Sequence, residues 1–172
     1  MKRTVAKLVI VTMAATALVG MVAGPAGAKT KCPKGTTAVA EKNSKGKKVK
    51  VCKATTPVLV KVGETDTAHM YMTLDVASVP AGLVTFTVEN EGVKVHELIV
   101  LDTDIAAADL PVNAAKDRVL DEKAYNPLGE AEDIEPGASG TLTVALSPGH
   151  YALICNIKGH VRMLMISDLT VT

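Results

Sequence analysis

The chain reads as an all-β protein, an antiparallel β-sandwich with Greek-key connections. Apolar and polar residues alternate over short runs such as Val84, Phe86 and Val88 against Thr85, Thr87 and Glu89, which is the period of a half-buried strand. Turn signals separate the runs: Val79-Pro80-Ala81-Gly82, Asn90-Glu91-Gly92, Glu135-Pro136-Gly137 and Ser147-Pro148-Gly149. About seven or eight short strands punctuated in this way suit a two-sheet sandwich better than helical layers.

The first 28 residues are expected to stand outside that fold. Lys2, Arg3 and Lys7 precede an apolar run from Leu8 to Ala23, and Ala26-Gly27-Ala28 supplies a cleavage signal. This pattern predicts a secretory signal peptide cut before Lys29, hence an exported chain, secreted or periplasmic. The cleavage point carries no cysteine for a lipid anchor. No later stretch has the roughly 18 apolar residues that a membrane span requires.

Residues 29–56 form a second unit. Thr36 to Ala40 and Lys47 to Val51 read as strands joined by a turn at Asn43-Ser44-Lys45-Gly46. Cys32 and Cys52 bracket this hairpin, and in an oxidising compartment they are expected to pair. Closing a loop of that length stabilises by roughly 3 kcal/mol in the chain-entropy picture. Between Lys29 and Lys53 nine lysines face one acid, Glu41, a net +8. From Ala54 onward seven basic residues face seventeen acidic ones, a net −10, so the overall +1 hides a basic appendage on an acidic body. The lysines suit either simple solvation or contact with phospholipid headgroups, cell-wall polyanions or an acidic partner.

Residues 57–172 are expected to be the main domain. Val58, Val60 and Val62 open it, and Leu98 with Val100, Leu142 to Leu146, Tyr151 with Leu153, and Leu169 with Val171 continue the alternation. The alanine-rich stretch from Asp104 to Lys123 breaks the rhythm and predicts a short helical insertion, interrupted at Asp109-Leu110-Pro111.

Chemistry concentrates in the tail, where Cys155, His160 and Met165 stand five apart, with His96 upstream. Strand parity turns His96 inward with Leu98 and Val100, and Cys155 inward with Tyr151 and Leu153. Two imidazoles, a thiolate and a thioether are the donors of a mononuclear copper site that shuttles one electron. Each residue alone reads more simply as core packing; the joint pattern points to a metal.

The runs VPAGLVTFTVENEGVKVHELIVL, IEPGASGTLTVALSPGHYALIC and CNIKGHVRMLM resemble the cupredoxins, the blue copper proteins that include plastocyanin and azurin. The wide Cys-to-His-to-Met spacing is closest to the rusticyanin and sulfocyanin kind. The resemblance implies one type 1 copper ion with His96, Cys155 and His160 as equatorial ligands. Met165 would be axial, with Met163 as the fallback. Relatives commonly carry Pro where Lys158 stands and Gly where Leu164 stands. Some place Asn, whose backbone helps to hold the thiolate, where Glu97 stands. Residues 29–53 lie outside the resemblance.

The resemblance implies an electron carrier and not an enzyme. A binuclear copper centre needs a second loop cysteine, multicopper enzymes flank the cysteine with histidines, and structural zinc prefers a closed Cys/His set without methionine. No nucleic-acid partner is indicated. A redox protein partner is expected, met by a monomer through His160 with Val161 and Leu164 around it. Copper delivery or sequestration without redox cycling is the alternative, and a cupredoxin-shaped interaction module with a vestigial site is a third reading. His69, Met70 and Met72 read as ordinary strand packing, or else as a surface Cu(I) site. His150 reads as a loop residue, and Glu130, Glu132, Asp133 and Glu135 as a solvated acidic edge or a contact for a basic partner.

Overall fold

The computed structural model describes residues 32, 33, 35–65, 69–113, 118, 119 and 121–172. The signal-peptide reading over residues 1–28 lies outside them. In chain order the strands are β1 (Thr36–Lys42), β2 (Lys48–Ala54), β3 (Thr56–Glu64), β4 (Met70–Leu74), β5 (Ser78–Val79), β6 (Gly82–Asn90), β7 (His96–Asp102), β8 (Val112–Asn113), β9 (Arg118–Val119), β10 (Pro127–Ile134), β11 (Ser139–Leu146), β12 (Gly149–Ile154) and β13 (Ile166–Val171).

Two sheets make the sandwich, one ordered β11-β6-β3-β4 and the other β10-β7-β12-β13-β5. Most neighbours are antiparallel, but β3 runs parallel to β6 and β13 parallel to β5. These exceptions follow from the connections: after β4 the chain crosses to the opposite sheet at β5, then returns as β6 beside β3. A parallel neighbour requires such a crossover.

Alternation along β3 and β6 buries Val58, Val60, Val62, Val84, Phe86 and Val88 between the sheets, against Leu98, Val100, Leu153 and Leu169. A second apolar layer covers the outer face of the other sheet. There Ile99, Leu101, Ala152 and Ile154 meet Ala107, Leu110 and Val161. Strands β7 and β12 are therefore buried on both faces, which explains why LIVL and YALI are continuous apolar runs.

Among the described residues, the helical part of the insertion that supplies Ala107 and Leu110 to this cover is limited to 3-10 turns, at Ala107–Asp109 and Glu122–Tyr125, with the short strands β8 and β9 between them. Its alanines do not extend a helix, because Leu110 is extended ahead of Pro111. Among the described residues, β1 and β2 pair only with each other. Their turn is held by Asn43, whose side-chain oxygen accepts from the backbone N–H groups of Lys45 and Lys47, both at 3.0 Å. The expected disulfide joins Cys32 to Cys52, with Cα atoms 5.5 Å apart.

Candidate metal centre

The centre lies at one end of the sandwich, where β7 begins and β12 ends. These strands are antiparallel, with Ile154 opposite Ile99, so Cys155 emerges beside the start of β7. The chain then winds tightly back. His160 N donates to Ile157 O at 2.9 Å and Met165 N to His160 O at 3.0 Å, while Cys155 N donates to Met165 O at 3.1 Å. A 3-10 turn at Val161–Met163 and Leu164 in the left-handed region complete the loop. Three separate chain segments thus converge.

Cys155 Sγ lies 3.2 Å from His160 Nδ1, and that nitrogen lies 3.3 Å from His96 Nδ1. One donor atom from each residue falls within 4.8 Å of the others. His96 and Cys155 are fully buried, and His160 keeps 5% of its surface. The edge of His160 is thus the most accessible part of the cluster.

Burial pushes the Cys155 thiol up to about 12, although the backbone N–H groups of Glu97 and Ile157 favour the thiolate. Burial pulls His160 down to about 4, and the neighbouring His96 acts in the same direction. His96 is also lowered by burial, with Glu64 opposing. At neutral pH the cluster is therefore two neutral imidazoles and a thiol. A metal ion would displace the thiol proton and satisfy all three converging donors. This mixed nitrogen and sulfur set fits copper.

Met165 is buried in the same core as Cys155, and its backbone closes the loop against that cysteine. Met163 is half-buried in the 3-10 turn and packs on the same core. The departures from the family pattern acquire physical meaning. Glu97 directs its backbone N–H at the thiol, a role that its side chain does not limit. Its carboxylate meanwhile accepts from Asn156 N at 2.9 Å, tying the loop to β7. Leu164 adopts φ 71°, a conformation that favours glycine.

The remaining candidates separate from the centre. Met70 and Met72 are core residues while His69 is exposed, so alternation along β4 keeps the three from forming one cluster. His150 is not a loop residue: it belongs to β12, with Nδ1 2.6 Å from Thr103 O and Nε2 3.0 Å from Asp168 Oδ1. Val161 is buried under the outer layer, which leaves Leu164 as the exposed apolar residue of the loop. Glu130 has its carboxyl raised by burial and by Glu132 and Glu122 nearby. Sequence reasoning missed Glu64, which faces His96 from β3 at 3.4 Å. Continuing the inward series Val58, Val60, Val62 by one step would have found it.

A β-sandwich that gathers buried His, Cys and His donors at one end is the architecture of a cupredoxin. Residues 37–172 match the family described as the sulfocyanin (SoxE) domain, and the chain belongs to that family. The match begins inside β1, one residue after Thr36, and runs through the rest of the hairpin. Among solved structures, dithionite-reduced auracyanin from Roseiflexus castenholzii is 22% identical, over 69% of this chain and 98% of that one, with a TM-score of 0.50. Auracyanin A from Chloroflexus aurantiacus is 23% identical over 67% of this chain and 99% of its own, at 0.44. Reduced rusticyanin is 17% identical over 70% and 82%, at 0.43. The first of these likenesses is one of fold. No curated protein sequence matches the chain.

Proposed function

We propose that this cupredoxin carries single electrons between protein partners through one type 1 copper ion. His96, Cys155 and His160 would hold the ion, with Met165 as the axial donor. The observation that carries the reading is the convergence of three buried donor atoms within 4.8 Å. Copper supplies a one-electron couple. The chain supplies the rest: Cys155 gives up its proton on loading, both imidazoles stay neutral, and three fixed segments limit rearrangement. Cupredoxins are generally electron carriers rather than enzymes. Burial of every donor disfavours the delivery alternative, which needs ready exchange with an acceptor.

His160 has the only accessible edge of the three donors and is the exit for the electron, with Leu164 beside it in the loop. The body's net −10 suits a positively charged redox partner, met in a small, short-lived encounter with a salt-dependent on-rate. The Cys32–Cys52 bond suits export to an oxidising compartment. The lysine-rich hairpin would contact membrane or cell-wall polyanions, and the protein would act as a monomer.

Copper titration followed by visible absorption and EPR tests the reading. Oxidised protein should show an intense thiolate-to-copper band near roughly 600 nm, lost in Cys155→Ser. A colourless wild type, or a variant that keeps the band, would falsify the assignment.

A further inference from the structure

We propose that Glu64 is the positioning residue for His96, fixing its ring by a buried carboxylate contact and biasing the centre toward its oxidised state. The inference rests on the electron-carrier reading above. It begins with a conflict in the strand pattern: the inward face of β3 runs Val58, Val60, Val62 and then Glu64. An acid at the end of an apolar row must meet a specific partner, because burying an unpaired carboxylate is costly.

That partner is the imidazole. Glu64 Oε1 lies 3.4 Å from His96 Nε2, with the glutamate side chain 9% exposed and the histidine fully enclosed. At this separation the two form no hydrogen bond, and neither has one elsewhere among the described residues, so each is left facing the other. The other carboxylate oxygen accepts from Val93 N at 2.9 Å, in the loop leading to His96. Lys94 Nζ stands 3.8 Å from Oε1. The Val93 N–H, the His96 ring and the Lys94 ammonium group thus all face this one carboxylate.

The chain makes deliberate room for this contact. A Cβ at Gly92 would sit 2.0 Å from Glu64 Oε2 and 2.9 Å from Gly63 Cα. Glycine at 92 is therefore required wherever the carboxylate occupies this place.

The chemistry follows from which nitrogen faces which way. His96 Nδ1 points toward His160. When Nδ1 donates to a metal, the ring proton must reside on Nε2, facing Glu64. A carboxylate behind a metal-bound imidazole fixes its tautomer and orientation and raises its basicity. A stronger donor and a nearby negative charge both favour the more highly charged metal, Cu(II) over Cu(I).

The test is the midpoint potential of the copper-loaded chain, wild type against Glu64→Gln. The amide keeps the shape and still accepts from Val93, so the blue band should persist. Preference for Cu(II) over Cu(I) should fall by about tenfold, an upward shift of about 59 mV for a one-electron couple. A merely structural glutamate would leave the potential in place. A blue variant with a ratio within about twofold of wild type would overturn the inference. A colourless wild type would instead remove the electron-carrier reading and this one with it. Should the variant fail to fold, proton NMR of wild type in the diamagnetic Cu(I) state decides. The His96 Nε2–H should then be visible at neutral pH and slow to exchange; a rapidly exchanging proton would overturn the contact.

Discussion

The metal-binding end and the β1-β2 hairpin are ordered by opposite means. At the metal-binding end, the side chains of His96, Cys155, His160 and Met165 are buried almost completely, at the edge of a shared core. The hairpin buries no residue fully, belongs to neither main sheet, and is closed by a covalent bond. One region spends apolar surface to hold polar donors in place; the other keeps its lysines in water. The difference teaches where each is vulnerable: the first to protons, the second to reductant.

The sharpest separation comes from removing both cysteines of the hairpin. Their bond spans 20 residues of sequence, worth roughly 3 kcal/mol of chain entropy. An isolated two-stranded hairpin is marginal in water, so Cys32→Ser/Cys52→Ser should unfold it locally. Amide hydrogen exchange over residues 36–54 should become fast, while the blue band and the melting of residues 57–172 stay as they were. Loss of the band would mean that the two regions are coupled, and the comparison would break.

Acid should act on the other region. His160 is lowered from 6.5 to about 4 by burial and by His96, so the unfolded chain binds more protons between those values. Stability is then fully present above about 6.5 and is lost as pH falls toward about 4, by about 3 kcal/mol in the metal-free protein. His96 shifts the same way and adds to the loss. The hairpin contains no histidine and has no such dependence. Urea titrations of the metal-free protein at neutral pH and near the lower limit measure the effect. A flat profile would show that the two imidazoles are less enclosed than the burial of His96 and His160 implies.

The centre was more legible in the sequence than its supports. His96 and Cys155 could be turned inward by counting along single strands, and His160 followed from the spacing of the loop. The hairpin and its disulfide were readable because turn residues and paired cysteines are local signals. Three other features depend on what lies across a sheet or over it. Parallel pairing of β3 with β6 results from a crossover that alternation does not encode. The cover formed by Ala107, Leu110 and Val161 explains the unbroken apolar runs of β7 and β12, yet nothing within those runs says what covers them. Glu64 was hidden because a charged residue at a strand end ordinarily marks the surface, and its partner lies on the opposing sheet.

The smallest predicted effect concerns the loop itself. Leu164 is 57% exposed and holds φ 71°, donating its N–H to Val161 O at 3.0 Å. A left-handed conformation costs a residue with a Cβ about 1–2 kcal/mol, and glycine avoids it. Greater freedom of glycine in the unfolded chain takes back part of that gain. Leu164→Gly should therefore stabilise the protein by about 1 kcal/mol or less, read as a higher midpoint in denaturant, with the copper spectrum unchanged. Destabilisation would show that the leucine's own packing outweighs its strain, and that the metal-binding loop, unlike the hairpin turn, depends on apolar contact even where it faces water.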